Sequence, residues 1–317
     1  MPHRPDRPTA TAPRDPDAVR HAAATVLDPA DADAVAALAA HSAGTLATVL
    51  THASVRRFTA DPVPDDVLAA LEAALVRGPT SSALHSYTHV VVRDAERRRR
   101  LATLAGDQRW IAEAPLLVVG CADLRRARTI AHAQGYRYTA HDLRMLVSAT
   151  ADLTIGLQNA SLVAQSLGYG TVLLGGVLNG ALEIASELGL PERIVPLVGL
   201  SVGRPADDRW PAPRPRLPLP LLVHHEQWSL TADEEQALLA AHDAETRAQG
   251  TYEGRRIPWA AMGRGGTDPV AVGDYGVLEH VGRKQGRATW APQGAKVDVD
   301  LPALGLKVHG TGDVDPT

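Results

Sequence analysis

The stretch "LVSATADLTIGLQNASLVAQSLGYGTVLLGG", residues 146–176, decides the class of the fold. Over 146–168 it is apolar almost all the way round a helical circumference, the pattern of a central helix buried on several sides. Gly168 and Gly170 end that helix, and "TVLLGG" follows as a short strand or turn. A helix covered on several sides needs layers around it, and the flanking sequence supplies them. "THVVVRD" (88–94), "APLLVVGCA" (114–122) and "IVPLVGLSVG" (194–203) read as strands, the last two apolar enough to be buried on both faces. "VPDDVLAALEAALVRG" (63–78) reads as a helix, with Pro64 in its first turn, Asp65 and Asp66 complementing the N-terminal dipole, and Gly78 as its stop. Helices are also expected over about 32–50 and 232–248 and in "AERRRRLATLAG" (95–106), whose four arginines read as a solvated face. Helices mixed with separated strands give an α+β or α/β layer architecture.

Composition bounds the rest. The chain has 317 residues, 45% of them apolar, with a single Phe, so Leu, Val, Ile and Ala must build the core. A net charge of −4 gives no reason to expect nucleic-acid binding. Lysine occurs only at 284, 296 and 307, so a cationic site in the first 280 residues must use arginine. The one cysteine, Cys121, follows an apolar run and reads as a buried small apolar residue. It cannot form an intramolecular disulfide, and a metal at "HHE" (224–226) would lack a third ligand. No apolar run reaches the length of a membrane span, and residues 1–17 lack the apolar region of a secretory signal, so a cytoplasmic location is expected. Residues 1–28 are read as a disordered N-terminal tail, 29–204 as the core domain, and 205–317 as a Pro-rich extension with a helix and a C-terminal region. "RPADDRWPAPRPRLPLP" (204–220) cannot be helix and must run extended across a surface.

Four stretches have the residue types that ligand chemistry needs. In "THASVRRF" (51–58), His52, Ser54 and Arg56 share a face at strand spacing, so an imidazole, a hydroxyl and a guanidinium could converge on a phosphate monoester. Read alone, the same segment is first of all a plain surface strand. "GPTSSALHSY" (78–87) places Thr80, Ser81, Ser82 and His85 in a polar loop, or in a capped turn. "LLGGVLNG" (173–180) has paired glycines whose N–H groups could approach a flat ligand, or which simply make a tight turn. "RPRLP" (214–218) holds two arginines on a proline frame, or is a linker. No G-x-G-x-x-G follows a strand, and neither a Walker loop nor a G-x-S-x-G elbow is present, so a nucleotide held in the Rossmann manner is not expected.

Taken in order, these stretches resemble the FMN-dependent nitroreductase superfamily, closest to its oxygen-insensitive NADPH nitroreductase and NADPH–FMN oxidoreductase branch. "SVRRFTADPVP", "PTSSALHSY", "WIAEAPLLVVGCADL", "GLQNASLVAQSLGYGTVLLGGVLN", "LPERIVPLVGLSVGRPAD", "RPRLP" and "VHHE" carry the likeness from roughly 45 to 260. The resemblance implies an α+β, nitroreductase-like fold: a central, mainly antiparallel sheet flanked by helices, in an intertwined homodimer with non-covalent FMN at the subunit interface. It implies that the segment His52, Ala53, Ser54, Val55 and Arg56 holds the phosphate and ribityl chain, with Arg214 and Arg216 completing the phosphate site. Ser81, Ser82 and His85 would approach the flavin ring, and Leu173, Leu174, Gly175 and Gly176 would run beside it. Arg255 and Arg256 would meet NADPH or NADH. No catalytic side chain is implied, because the flavin N5 carries hydride from NAD(P)H to nitro, quinone or flavin acceptors in ping-pong fashion. The chain departs from the branch at Ala53 and Leu178, where the branch has arginine, and at His85, where it has glutamine. Those losses leave room for a flavin dehydrogenase or oxidase acting on one metabolite, or for a non-catalytic flavin-binding protein.

Overall fold

The computed structural model describes residues 44–206, 210–252, 254–287 and 290–307, together with Arg20, Ala24 and Asp33. The expected tail lies outside the described residues except at Arg20 and Ala24, which are helical. Two compact units divide the chain. One holds the described residues of 39–212 and 296–317, the other those of 16–38 and 213–295.

The first unit contains α1 (Thr45–Leu50), α2 (Asp65–Leu75), β1 (Tyr87–Val92), α3 (Ala95–Leu104), α4 (Arg109–Glu113) and β2 (Leu116–Asp123). It continues with α5 (Arg125–Ala133), α6 (Asp142–Ser166), β3 (Gly170–Leu174), a 3-10 turn (Gly175–Gly180), α7 (Ala181–Glu187) and β4 (Ile194–Gly203). The sheet is antiparallel throughout, in the order β1-β2-β4-β3. Alternation along β2 explains why its sequence is a continuous apolar run. Leu116, Val118 and Ala122 pack with α6, whereas Leu117, Val119 and Cys121 pack with α3 and α4 on the other face. Both faces are therefore core, and burial pushes the Cys121 thiol up to about 12.

Helix α6 is the central element that its sequence implies, and it begins four residues before the apolar pattern does. Ala149, Leu153, Leu157, Ala160 and Ala164 are fully buried. It approaches α2 so closely that a Cβ at Gly156 would lie 2.4 Å from the Leu75 carbonyl oxygen. The four arginines of α3 are not all solvated. Arg98 is buried and donates to the carbonyls of Ala112, at 3.0 Å, and Ala114. It thereby satisfies the C-terminal end of α4, which a solvated face could not do.

Described residues 296–307 also belong to this unit. Helix α10 (Trp290–Ala303) leads to Leu301, Leu304 and Leu306, which are buried in the same core as α6. Arg193 holds that segment down. Its backbone N–H donates to Leu304 O and its guanidinium to Gly305 O, both at 2.8 Å. The guanidinium also pairs with Asp142 at 2.5 and 3.1 Å, and Asp142 accepts from the Lys307 N–H at 2.8 Å.

The second unit has α8 (Ala232–Ala248), closed at its start by a capping box between Thr231 and Glu234, and α9 (Val277–Gln285). Among its described residues the proline-rich stretch carries no strand, only an isolated bridge between Pro205 and Phe58 and a short 3-10 turn at Leu219–Leu221. No described helix is long and apolar enough to cross a membrane.

Two predictions concern stability. Arg193→Ala strands the fully buried Asp142 carboxylate and should lower unfolding free energy by roughly 3–5 kcal/mol in chemical denaturation. His89 on β1 has both ring nitrogens buried without partners, and burial lowers it to about 4. The unfolded chain binds that proton at the ordinary value near 6.5, so stability present above that pH should be lost as pH falls from there toward 4. His89→Leu should flatten this limb of the stability–pH curve, measured as denaturation midpoints across that range.

Candidate functional site

Three of the four stretches singled out in the sequence are built into the first unit. Residues 52–56 leave α1 as an extended segment. His52, Ser54 and Arg56 are half-buried, and Ala53 and Val55 point into the core. Period-two alternation thus puts the polar three on one face. The Val55 N–H donates to Thr171 O on β3 at 2.9 Å. Gly170 makes this contact possible, since a Cβ there would sit 2.6 Å from the Val55 side chain.

Strand β3 ends at Leu173, partly exposed, and Leu174, buried. The two glycines that follow differ. A Cβ on Gly175 would meet nothing within 4 Å, so its backbone faces open space. A Cβ on Gly176 would lie 2.6 Å from Ala105 O and would collide with the Gln108 amide. Gln108 fills that contact and links the turn to the arginine segment. Its Nε2 donates to Ala105 O at 2.9 Å, and its Oε1 accepts from Trp110 Nε1 at 3.1 Å. The Trp110 ring in turn carries the Arg56 guanidinium 5.7 Å from its centroid.

Ser81 and Ser82 form a 3-10 turn anchored to α6. The Ser81 N–H donates to both Asp152 oxygens, at 3.0 and 3.1 Å, and its hydroxyl to one of them at 3.2 Å. Ser82, Ala83 and His85 all have positive φ, at 52°, 53° and 47°. Three non-glycine residues in the left-handed region within four positions store strain, as loops held for function do. Arg126 on α5 donates to the carbonyls of His85 and, at 2.9 Å, Tyr87, fixing the exit of the loop. His85 itself is exposed.

Helix α6 sets the distance between the two polar segments. Asp152 holds Ser81, and Gln165 Oε1 lies 3.0 Å from His52 Nδ1. The two residues are thirteen positions apart, about 20 Å of helix, so an elongated ligand could touch both segments. Asp152, Gln165, Gln108, Trp110 and Arg126 escape a search for ligand-like motifs. Asp152 and Gln165 did leave one signal: polar side chains inside a helix that is apolar all round must have buried partners.

The fourth stretch belongs to the second unit. Arg214 and Arg216 are exposed. Desolvation, and then the charges of Arg255 and Arg216, lower the Arg214 guanidinium, the signature of cations gathered together. Arg255 and Arg256 have different surroundings. Arg256 pairs with Asp268 at 2.7 Å, donates to the carbonyls of Val270 and, at 3.2 Å, Ala271, and lies over the Tyr275 ring. The buried Arg283 grips the same carboxylate at 2.6 Å, and these bonds hold Asp268 well below the usual carboxylate range. Arg255 is exposed, and its side chain makes no hydrogen bond or ion pair among the described residues.

Known proteins share both sequence and architecture with this chain. The pattern of the Nitroreductase family matches residues 49–204. FMN reductase [NAD(P)H] of Bacillus subtilis is 34% identical over 200 residues, which is 61% of this chain and 77% of that protein. NADPH-flavin oxidoreductase of Vibrio harveyi is 35% identical over 194 residues, 61% of this chain and 78% of the relative. The structure of NfrA2 from B. megaterium superposes with a TM-score of 0.71 at 29% identity, covering 84% of this chain and 98% of its own. The antiparallel sheet around a buried central helix, the glycine turn beside an arginine-bearing segment, and these likenesses lead to one assignment: the chain belongs to the nitroreductase family.

Proposed function

We propose that this protein is an FMN-dependent oxidoreductase that passes hydride from NAD(P)H to nitro, quinone or flavin acceptors in ping-pong fashion. The observation that carries this reading is the half-buried row His52, Ser54 and Arg56, joined to the glycine turn through Trp110 and Gln108. The residues fit the cofactor. An imidazole, a hydroxyl and a guanidinium suit a phosphate and ribityl chain. The open Gly175 backbone and the Ser81–Ser82 turn suit the edge of a flat heterocycle.

FMN, when bound, supplies the hydride chemistry at its N5. The chain's own part is to bind and orient. Arg56, with its guanidinium against Trp110, neutralises phosphate charge. Ala53 and Val55 bury their side chains, so they serve the cofactor only through backbone. Leu173 and Leu174 bring the chain to Gly175 and Gly176, where Gln108 keeps the turn closed on its protein side. Asp152 holds Ser81 and the strained loop to Ser82 and His85 in one conformation. Arg214 and Arg216 complete the phosphate site, and a homodimer with the site at its interface lets a partner subunit supply them. Arg255 meets the nicotinamide donor, while Arg256 is the frame beside it, its guanidinium already spent on Asp268 and two carbonyls. A cytoplasmic location agrees with these reactants.

Anaerobic mixing of the flavin-loaded protein with NADPH or NADH should bleach the visible flavin band within the mixing series. Stoichiometric FMN that neither donor bleaches would leave a flavin-binding protein without this activity. Arg56→Ala should weaken FMN binding by roughly 1.5–3 kcal/mol, the worth of a hydrogen bond to a charged group, as read by fluorescence titration. Trp110→Leu should lower affinity in the same direction by a smaller factor, because Arg56 then loses its support but keeps its charge.

A further inference from the structure

The orientation of one buried amide determines which nitrogen of His52 carries a proton. Gln165 is buried on α6, and its Nε2 lies 3.0 Å from Ser161 O and 3.0 Å from Ser161 Oγ. A backbone carbonyl only accepts, so the amide nitrogen must point there. The Ser161 hydroxyl, receiving that bond, also shares a hydrogen bond with Thr171 Oγ1 at 2.7 Å. The other end of the amide, Oε1, also only accepts, and it faces His52 Nδ1 at 3.0 Å. That contact is a hydrogen bond only when Nδ1 carries hydrogen. The neutral ring is therefore the Nδ1–H tautomer, and the lone pair is left on its Nε2.

A phosphate oxygen is also an acceptor, so a neutral His52 would set a lone pair against it. Protonation turns Nε2 into a donor and leaves the Gln165 bond intact. We propose that Gln165 is a positioning residue that ties cofactor binding to a proton: His52 receives the FMN phosphate only as imidazolium, and each FMN bound above neutral pH takes one proton from solvent. The proposal rests on the FMN reading given above and adds to it a role for a helix residue outside the ligand-contacting segments.

The groups around the ring agree with a charge that comes from solvent. Helix α1, strand β3 and residues 158–166 of α6 carry no ionisable side chain. The segments that follow α1, α6 and β4 carry the ionisable residues Arg56, Arg57, Tyr169 and Arg204, the last with its guanidinium over the Tyr169 ring. Among the described residues no carboxylate is bonded to His52.

Calorimetric titration of the full-length, flavin-free chain at pH 8, in two buffers of different ionisation enthalpy, tests this. FMN phosphate is already a dianion there, since its second proton leaves near pH 6, so uptake must come from the protein. The wild type should take up about one proton per FMN, and none with riboflavin, which lacks the phosphate. Gln165→Leu removes the acceptor at Nδ1 and lets the neutral ring move its hydrogen to Nε2, so FMN should still bind with uptake near zero. Where leucine disturbs folding, Gln165→Glu serves, because its carboxylate charges the ring beforehand and should also suppress uptake. FMN binding by the wild type without proton uptake overturns the proposal while leaving the cofactor assignment standing, as does full uptake in Gln165→Leu. Equal affinity for FMN and riboflavin would overturn the phosphate site itself, and the proposal with it.

Discussion

Helix α6 can be buried only if every polar group it carries into the interior finds a partner, and the site follows from how that requirement is met. An unpaired carboxylate or amide in this core would cost several kilocalories per mole. Asp152 avoids the cost by accepting the Ser81 N–H and hydroxyl, and Gln165 by bonding Ser161 and His52. The bonds to Ser81 and His52 reach out of the helix to two different segments. The same contacts that make the helix stable inside the protein therefore fix the two candidate site segments at a set separation. Stability and site geometry here are one arrangement.

A second linkage runs across the sheet through tight packing. Gly176 leaves no room for a side chain, and Gln108 occupies that space with its amide. The amide accepts from Trp110, and Trp110 supports Arg56. A glycine chosen for close approach on its protein side thus positions a cation that belongs to another element. Gly175, its neighbour, faces open space and has the opposite use. The pair is not two copies of one device.

In the second unit the sorting of cations matters more than their number. Asp268 collects Arg256 and Arg283 into one bonded cluster against Tyr275. Arg214 is bonded to no such carboxylate among the described residues, and desolvation, then the charge of Arg255, lowers its guanidinium. Cations already paired hold structure together, whereas cations crowded beside each other favour an anion. Adjacent arginines in "EGRRIPW" fall on opposite sides of this division.

Periodicity and composition alone determined much of the architecture. The apolar circumference of α6, the apolar runs of β2 and β4, and the glycines after α6 are local patterns, and the elements follow them closely. The half-buried face of His52, Ser54 and Arg56 was legible for the same reason, since alternation along an extended chain needs no knowledge of partners. Tertiary structure alone decided what those residues meet. Nothing near Arg98 in sequence announces that it satisfies carbonyls 14 and 16 residues away, and nothing near Asp142 announces Arg193. The pairing of Gln165 with His52 spans 113 residues, and it sets which nitrogen of the ring holds the proton. Local sequence specifies which groups a segment offers. The fold alone determines which donor meets which acceptor, because that depends on distances that no single segment contains.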